Sequence, residues 1–476
     1  MNSFLNKSDR LNITIFISIK SYLRNWLGAG AFRLLEQEHN VTYLIPKKYK
    51  WNPKDIEIYT DADYVVINQN KWRMNIFRRF LQISMIAASK RSEAFRIKLT
   101  YANSTLVFIF SVFKINFLFN SFKVIFNWLM PSWAELSRYI LKNPPDLFIA
   151  PSLLADSFTI DLSHTAKKHG IKTMIIVNSW DNLISKGTLP FEPDSLVVWG
   201  ANSIKHAKYV QRINMNKISI LGVPRFEPYF LKNITSKNKF KNRGYIYKYN
   251  SIPKTKKIIL YPATSLPFED MNVLKLIDFE ISNNKSLSNY IVLFRPHPEN
   301  FPRINEKNFF DQNFKNVLID KQMLEYYISR FGNNRGKHIS AVNNTDLDYY
   351  PKLLESIDIV VSPPTTMVLE ALLLGKPVVM ICYDDGLNKW LPPSEVVRYE
   401  NVQELLNLPG VFPCYKESLL APLLKKSVKM SLQDSTKNRI SNSTNSIVYR
   451  DAISYSLRLL NLVNKVTSSS KNKLNT

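Results

Sequence analysis

The feature that most constrains this chain is an alternation that occurs twice. Short apolar runs rich in Ile, Val and Leu are separated by segments of helical length and period. In the first half the runs fall at 14–19, 42–45, 64–67, 146–150, 173–177, 195–199 and 218–221, with helical stretches near 24–38, 158–169 and 203–211. A second series follows at 257–261, 290–294, 317–319, 358–361 and 378–382, with helices expected near 270–281, 349–356 and 366–374. Runs of this length are strands buried on both faces, and helical crossovers between them make parallel sheets. The expected fold class is therefore α/β, with two Rossmann-like doubly wound parallel-sheet domains facing a cleft.

A chain of 476 residues also exceeds what one core usually organises. The first domain is placed at 1–230, with a basic and apolar helical insertion at about 68–140. Residues 231–257 carry nine Lys or Arg and no acidic residue, so 231–256 reads as an exposed basic linker. The second domain follows at 257–415. Helices and a tail occupy 416–476, fraying beyond about Val463.

Lys and Arg number 64 against 38 Asp and Glu, a formal net charge of +26. Such a surface favours partners that carry phosphate or anionic headgroups. Nucleic acid is not expected, because the charge is spread over the 64–134 region and the linker, with no strand of stacking aromatics and no helix-turn-helix pattern. Cys382 and Cys414 are too few for a disulfide framework and too far apart for a zinc or redox motif, which fits a reducing cytosol. The first twenty residues read as a strand, not a signal peptide.

One stretch tests the soluble reading. Residues 106–130 are rich in Phe, Ile, Leu and Val, yet Lys114, Asn116, Asn120, Lys123 and Asn127 interrupt them, so a spanning helix is not expected. Between Tyr64 and Ala134 the one acid is Glu93, among many basic residues. This composition suits a patch lying on an anionic membrane surface, or equally ordinary long helices that are apolar inside and basic outside.

Loops that follow parallel strands carry the candidate chemistry. The first runs from Ser362 through Pro363, Pro364, Thr365 and Thr366 into a helix bearing Glu370. A helix start offers unmatched N–H groups and a favourable dipole to a phosphate, the two threonines add hydroxyls, and Glu370 is placed to take the two hydroxyls of a ribose. An ordinary N-cap at Thr365 with Glu370 as a dipole-complementing acid is the plainer account. The second loop is Arg295-Pro296-His297-Pro298-Glu299, where prolines stiffen the backbone around a phosphate-gripping Arg and a proton-carrying His.

The third loop, 178–187, holds Trp180 as a platform for a sugar, Asp181 as a general base and Asn182 beside them; an Asx turn with a core Trp is the alternative. Gly28 and Gly30 after the first strand would allow close backbone approach to a ligand. Residues 221–226, Leu-Gly-Val-Pro-Arg-Phe, read as a hinge or a plain interdomain turn. No close cluster of His, Cys and Glu offers a metal site.

Taken together, the Ser362–Pro377 segment with its early Glu370 and Gly375-Lys376-Pro377 exit resembles the GT-B glycosyltransferase superfamily. The Arg295-Pro-His297-Pro loop, Ser179-Trp-Asp-Asn182 and Gly222-Val-Pro-Arg-Phe226 are similar to bacterial surface and capsule polysaccharide transferases and to CDP-glycerol glycerophosphotransferase-like proteins. Most of this likeness falls in 255–390, a lesser part in 140–230. It implies donor binding by Arg295, His297, Ser362, Thr365, Thr366 and Glu370, acceptor chemistry from the first domain, and no resident cofactor or metal. The implied activity is transfer of a sugar from a nucleotide-diphosphate donor to a surface-polysaccharide or lipid-linked acceptor. The expected place is the cytoplasm, peripheral at the inner membrane face. A polyol-phosphate transferase, a UDP-sugar 2-epimerase, or a basic nucleic-acid-binding protein on the same scaffold are the alternatives.

Overall fold

The computed structural model describes residues 10–47, 52–230, 236–297, 309–331 and 349–471. The chain divides into two compact units, residues 1–227 with 446–476, and residues 228–445.

Unit one is built on seven strands: β1 (Asn12–Phe16), β2 (Asn40–Pro46), β3 (Tyr64–Ile67), β4 (Leu147–Ser152), β5 (Lys172–Val177), β6 (Ser195–Val198) and β7 (Ile218–Ile220). They lie in the order β3-β2-β1-β4-β5-β6-β7, each pair parallel. Side chains alternate between the faces, and both faces are covered. Phe16, Leu44, Phe148, Ile175 and Leu196 enter one core, beneath the Lys71–Ala88 and Ser157–Lys168 helices. Ile15, Tyr43, Ile149, Met174 and Val197 enter the other, which the Tyr455–Lys471 helix closes with Leu459 and Val463.

The expected insertion lies between β3 and β4 as a series of helices, principally Lys71–Ala88, Glu93–Thr100, Ser104–Ile109, Asn116–Leu129 and Ala134–Lys142. It is tied to the layer beneath by a buried ion pair that sequence reasoning did not find. Arg73 Nε and Nη2 donate to the two carboxylate oxygens of Asp161 at 2.5 Å, and Arg73 Nη1 donates to Pro131 O at 2.8 Å. One guanidinium thus fastens the beginning of the insertion to its end and to the Ser157–Lys168 helix.

The final residues differ from their expected place. The Leu420–Ser431 and Asp434–Ser443 helices stay with unit two, whereas 446–476 return to unit one. Tyr449 N donates to Trp199 O at 2.8 Å, and Arg458 Nη2 to Leu221 O at 2.8 Å. At Gly222, φ is +76° and an added Cβ would lie 2.5 Å from Tyr449 O, so only glycine fits where the returning chain crosses the exit of β7.

Unit two has six parallel strands: β8 (Lys257–Pro262), β9 (Tyr290–Arg295), β10 (Val317–Ile319), β11 (Ile359–Ser362), β12 (Val378–Ile381) and β13 (Val411–Cys414), in the order β10-β9-β8-β11-β12-β13. The edge strand β13 was not expected, because Pro413 interrupts its pattern; an edge tolerates the missing N–H. The basic linker is also corrected. Residues 236–249 form a helix of this unit, with Asn242 Nδ2 donating to Glu355 at 2.6 Å and Asn250 Nδ2 to the Tyr349 hydroxyl at 3.2 Å. Its inward face of Ile246, Tyr247 and Asn250 is short, and the lysines around it hide the period. Residues 231–235 lie outside the described residues.

Candidate functional site

The strand order of unit two reverses at β8: the chain moves outward through β9 and β10, then crosses back to lay β11 on the other side of β8. Loops leaving β8 and β11 therefore part in opposite directions, the arrangement that in open α/β sheets makes room for a ligand beyond the strands' carboxyl ends. The loop after β8 begins Ala263-Thr264-Ser265, the loop after β11 is Pro363-Pro364-Thr365, and the neighbouring β9 ends in Arg295-Pro296-His297. Pro262 and Arg295 are level in the sheet. Ser362, fully buried, shares its hydroxyl proton between Pro262 O and Pro363 O, both at 2.8 Å. Its part is to tie together the ends of β8 and β11 where the two loops begin, which differs from the direct ligand contact expected of it.

Above Ser362 the chain turns extended at Thr365, φ −151° and ψ 161°, and enters the Thr366–Leu373 helix. Thr365 makes no side-chain capping bond, and Pro364, Thr365, Thr366 and Met367 are half-buried. The plainer N-cap account of Thr365 is thus not what the structure shows. Unmatched N–H groups at a helix start, with hydroxyls beside them and no acid in the first turn, suit an anion. Glu370 is half-buried one turn on, and its Oε2 accepts the Tyr229 hydroxyl at 2.7 Å. Tyr229 and Thr264 were not picked out from the sequence. Thr264 follows an apolar strand with a small polar residue, the same signal that marked the other loops.

Arg295 is the clearest correction. It is the last residue of β9, 3% exposed, and its Nη1 donates to the buried carboxylate of Asp320. Nη2 donates to Gln322 Oε1 at 3.0 Å, and the guanidinium lies 4.6 Å from the Tyr350 ring centroid. Burial opposes its charge, but Asp320 more than offsets this and raises the pKa above the ordinary arginine value. The expected phosphate grip is replaced by a brace across the ends of β9 and β10. His297, two residues further, is half-buried in the loop beyond this brace. Pro298 and Glu299 lie outside the described residues.

Asp384 and Asp385, after β12, are occupied by turn contacts. Asp384 accepts from Ser394 N at 2.9 Å, and Asp385 accepts from Glu269 N and Asn388 N, each at 2.8 Å. Burial opposes ionisation of Asp385, but these donors hold its pKa below the usual carboxylate range.

In unit one, the loops chosen after β1 and β5 both contain wide π-helical turns, Leu23–Leu27 and Asn182–Lys186, a local geometry enriched at functional sites. Their side chains are occupied differently from expectation. Trp180 is 6% exposed and so offers no open face to a sugar. Asn182 is fully buried, its Oδ1 reaching back three residues to accept Ser179 N at 2.8 Å, a contact that differs from the forward Asx turn weighed as the alternative. Asp181 accepts the Ser185 hydroxyl at 2.8 Å and lies 3.7 Å from Lys186 Nζ. Burial pushes its pKa up, but Lys186, the Ser179 and Ser185 donors and Lys98 together bring it below the usual value, unsuited to a strong general base. Gly28 has φ −59°, and an added Cβ would meet Arg24 O at 2.8 Å and the Tyr59 ring at 3.0 Å. Its lack of a side chain serves this internal contact.

No protein-family model and no curated protein sequence matches the chain. Solved structures do. A glycosyltransferase from Rickettsia africae ESF-5 is 13% identical, with a TM-score of 0.51 over 96% of this chain and 99% of its own. The glycotransferase of kitacinnamycin is 12% identical, with a TM-score of 0.50 over 96% and 99%. A protein from Listeria monocytogenes provisionally named a UDP-N-acetylglucosamine 2-epimerase is 10% identical, with a TM-score of 0.50 over 96% of each chain. The two doubly wound parallel sheets are those of the GT-B fold, the fold class expected from the sequence.

Proposed function

We propose that this protein is a glycosyltransferase that moves a sugar from a nucleotide-diphosphate donor to a surface-polysaccharide or lipid-linked acceptor. The observation that carries the reading is the helix start at Thr365–Thr366, unfilled by its own cap, at the switch point between β8 and β11. There the diphosphate would take the first-turn N–H groups and the two threonine hydroxyls. Glu370, held by Tyr229, would receive the ribose hydroxyls. His297 would donate to the leaving phosphate, while Arg295 and Ser362 position the loops from below. With the departing charge carried by backbone donors and His297, the scheme is metal-independent, and transfer is expected to survive a chelator.

The test is product release. Incubation with a panel of nucleotide sugars and a glycan or lipid-linked acceptor is expected to yield a nucleoside diphosphate and an extended acceptor. Glu370→Ala is expected to raise KM for the donor about tenfold or more, from loss of a charge-assisted hydrogen bond. Failure of every donor to release a diphosphate would overturn the reading. The Listeria neighbour supports one second reading, epimerisation of a nucleotide sugar at the same site. That reaction would change the sugar whether or not an acceptor is added.

A further inference from the structure

The Asn116–Leu129 helix has two apolar faces, and the fold covers one of them. On the covered side Phe126 stacks on Phe80 at 4.0 Å between ring centroids, and Phe122 lies 5.7 Å from Phe80. On the other side Phe117, Val124, Ile125 and Trp128 recur at helical spacing with exposures of 75%, 69%, 54% and 78%. The preceding Ser104–Ile109 helix continues this surface with Phe108 at 80% and Ile109 at 56%. Single exposed apolar residues are ordinary, but a contiguous stripe of large ones marks a surface that meets something apolar.

The shape and charge of the patch decide what it meets. Segments Ser104–Lys114 and Asn116–Leu129 are bent by 99°, and no helix among the described residues is long and apolar enough to cross a membrane. Fourteen residues of helix reach about 21 Å, against a hydrocarbon core of about 30 Å. A bent pair of this size lies in an interface without spanning it. Glu93, the one acid in 64–134, is paired with Arg96, while Lys71, Arg78 and Arg79 are exposed along the adjoining helix beside Trp72. An apolar groove of about 290 Å³ between the Lys71–Ala88 and Asn116–Leu129 helices, lined by Phe80, Phe122 and Phe126, has Trp72 and Arg79 in its wall. A basic rim around an apolar face complements anionic headgroups over acyl chains, and would repel a second copy of this cationic chain.

We infer that the bent pair Ser104–Leu129, with the exposed basic side of the Lys71–Ala88 helix, is a monotopic docking surface for an anionic bilayer. Trp128, Phe117 and Phe108 enter the headgroup and upper acyl region, and Arg78 and Arg79 lie against the phosphates. The inference is independent of what the donor site binds.

The test uses the full chain and sedimenting vesicles of phosphatidylcholine containing about one-third phosphatidylglycerol, with pure phosphatidylcholine as the neutral arm. The wild type is expected to sediment with the anionic vesicles, and less in high salt. The triple variant Phe117→Ser, Ile125→Ser, Trp128→Ser is expected to lower the partition about tenfold or more while its thermal unfolding stays at the wild-type temperature. Arg78→Ser with Arg79→Ser is expected to narrow the difference between anionic and neutral vesicles. Binding by the triple variant equal to wild type would overturn the inference, as would a wild type that ignores vesicles. A wild-type dimer that the triple variant dissolves, without vesicle binding, would make the face a self-association surface and overturn it too.

Discussion

Arg295 and Asp320 are a buried pair at the ends of β9 and β10, 3% and 0% exposed, so removing either side chain strands the other's charge. Arg295→Ala is expected to cost about 3–5 kcal/mol in urea unfolding, with activity lost through stability. Arg295→Lys keeps the charge but not the fork, and is expected to fall between. His164 makes a second prediction. It is fully buried, with ring centroids of Phe191 at 5.3 Å and Phe77 at 5.6 Å. Burial first, then Lys168 and Arg73, lowers its pKa to about 4. Its unfolded value is near 6.5, so the folded state resists protonation: the full stabilisation is present above pH ~6.5 and is lost as pH falls toward ~4, on the order of 3 kcal/mol. His164→Phe is expected to flatten the urea midpoint against pH across that window. At this scale the sequence shows which loops matter, since Arg295 and Ser362 close their strands and Thr365 sits just beyond one, all in one unit. It does not show which of them the fold itself uses, because Asp320 and Pro262 are distant in sequence and only the sheet register brings them near.

Among the elements, those with a clean period were legible and those with interrupted patterns were not. β4 and β5 are nearly continuous apolar runs, and the structure has them within a residue or two of the expected ends. β13 contains Pro413, and the Ser236–Tyr249 helix carries its inward face among lysines, so neither was read. The return of 446–476 to unit one was invisible for a related reason: the Tyr455–Lys471 helix has an ordinary amphipathic pattern, which says that a partner exists but not which sheet provides it. Gly222 is the joint of that return. Gly222→Ala is expected to destabilise unit one by about 1–3 kcal/mol, from the left-handed backbone and the Tyr449 carbonyl in its way, as read by the thermal unfolding midpoint. A comparable prediction holds for the insertion: Arg73→Ala leaves Asp161 buried without its bidentate partner, and hydrogen exchange in Lys71–Ala88 is expected to rise before exchange in β4 does.

For the whole molecule, the repeated strand and helix series made the two doubly wound parallel sheets readable with no family model matching the chain. Such a fold hosts several chemistries, and identities of 10–13% to its structural neighbours carry the fold alone. The reaction therefore rests on the site in unit two, where the helix start at Thr365 stands at the switch point and Glu370 is held by Tyr229. Its most direct test is calorimetric titration of the full chain with UDP, CDP, GDP and dTDP, repeated for Thr366→Val and Glu370→Ala. The account predicts saturable binding of at least one diphosphate, weakened about tenfold or more in each variant, with a smaller response to the matching nucleoside. Unchanged affinity in both folded variants, or no binding of any diphosphate by the wild type, would contradict it.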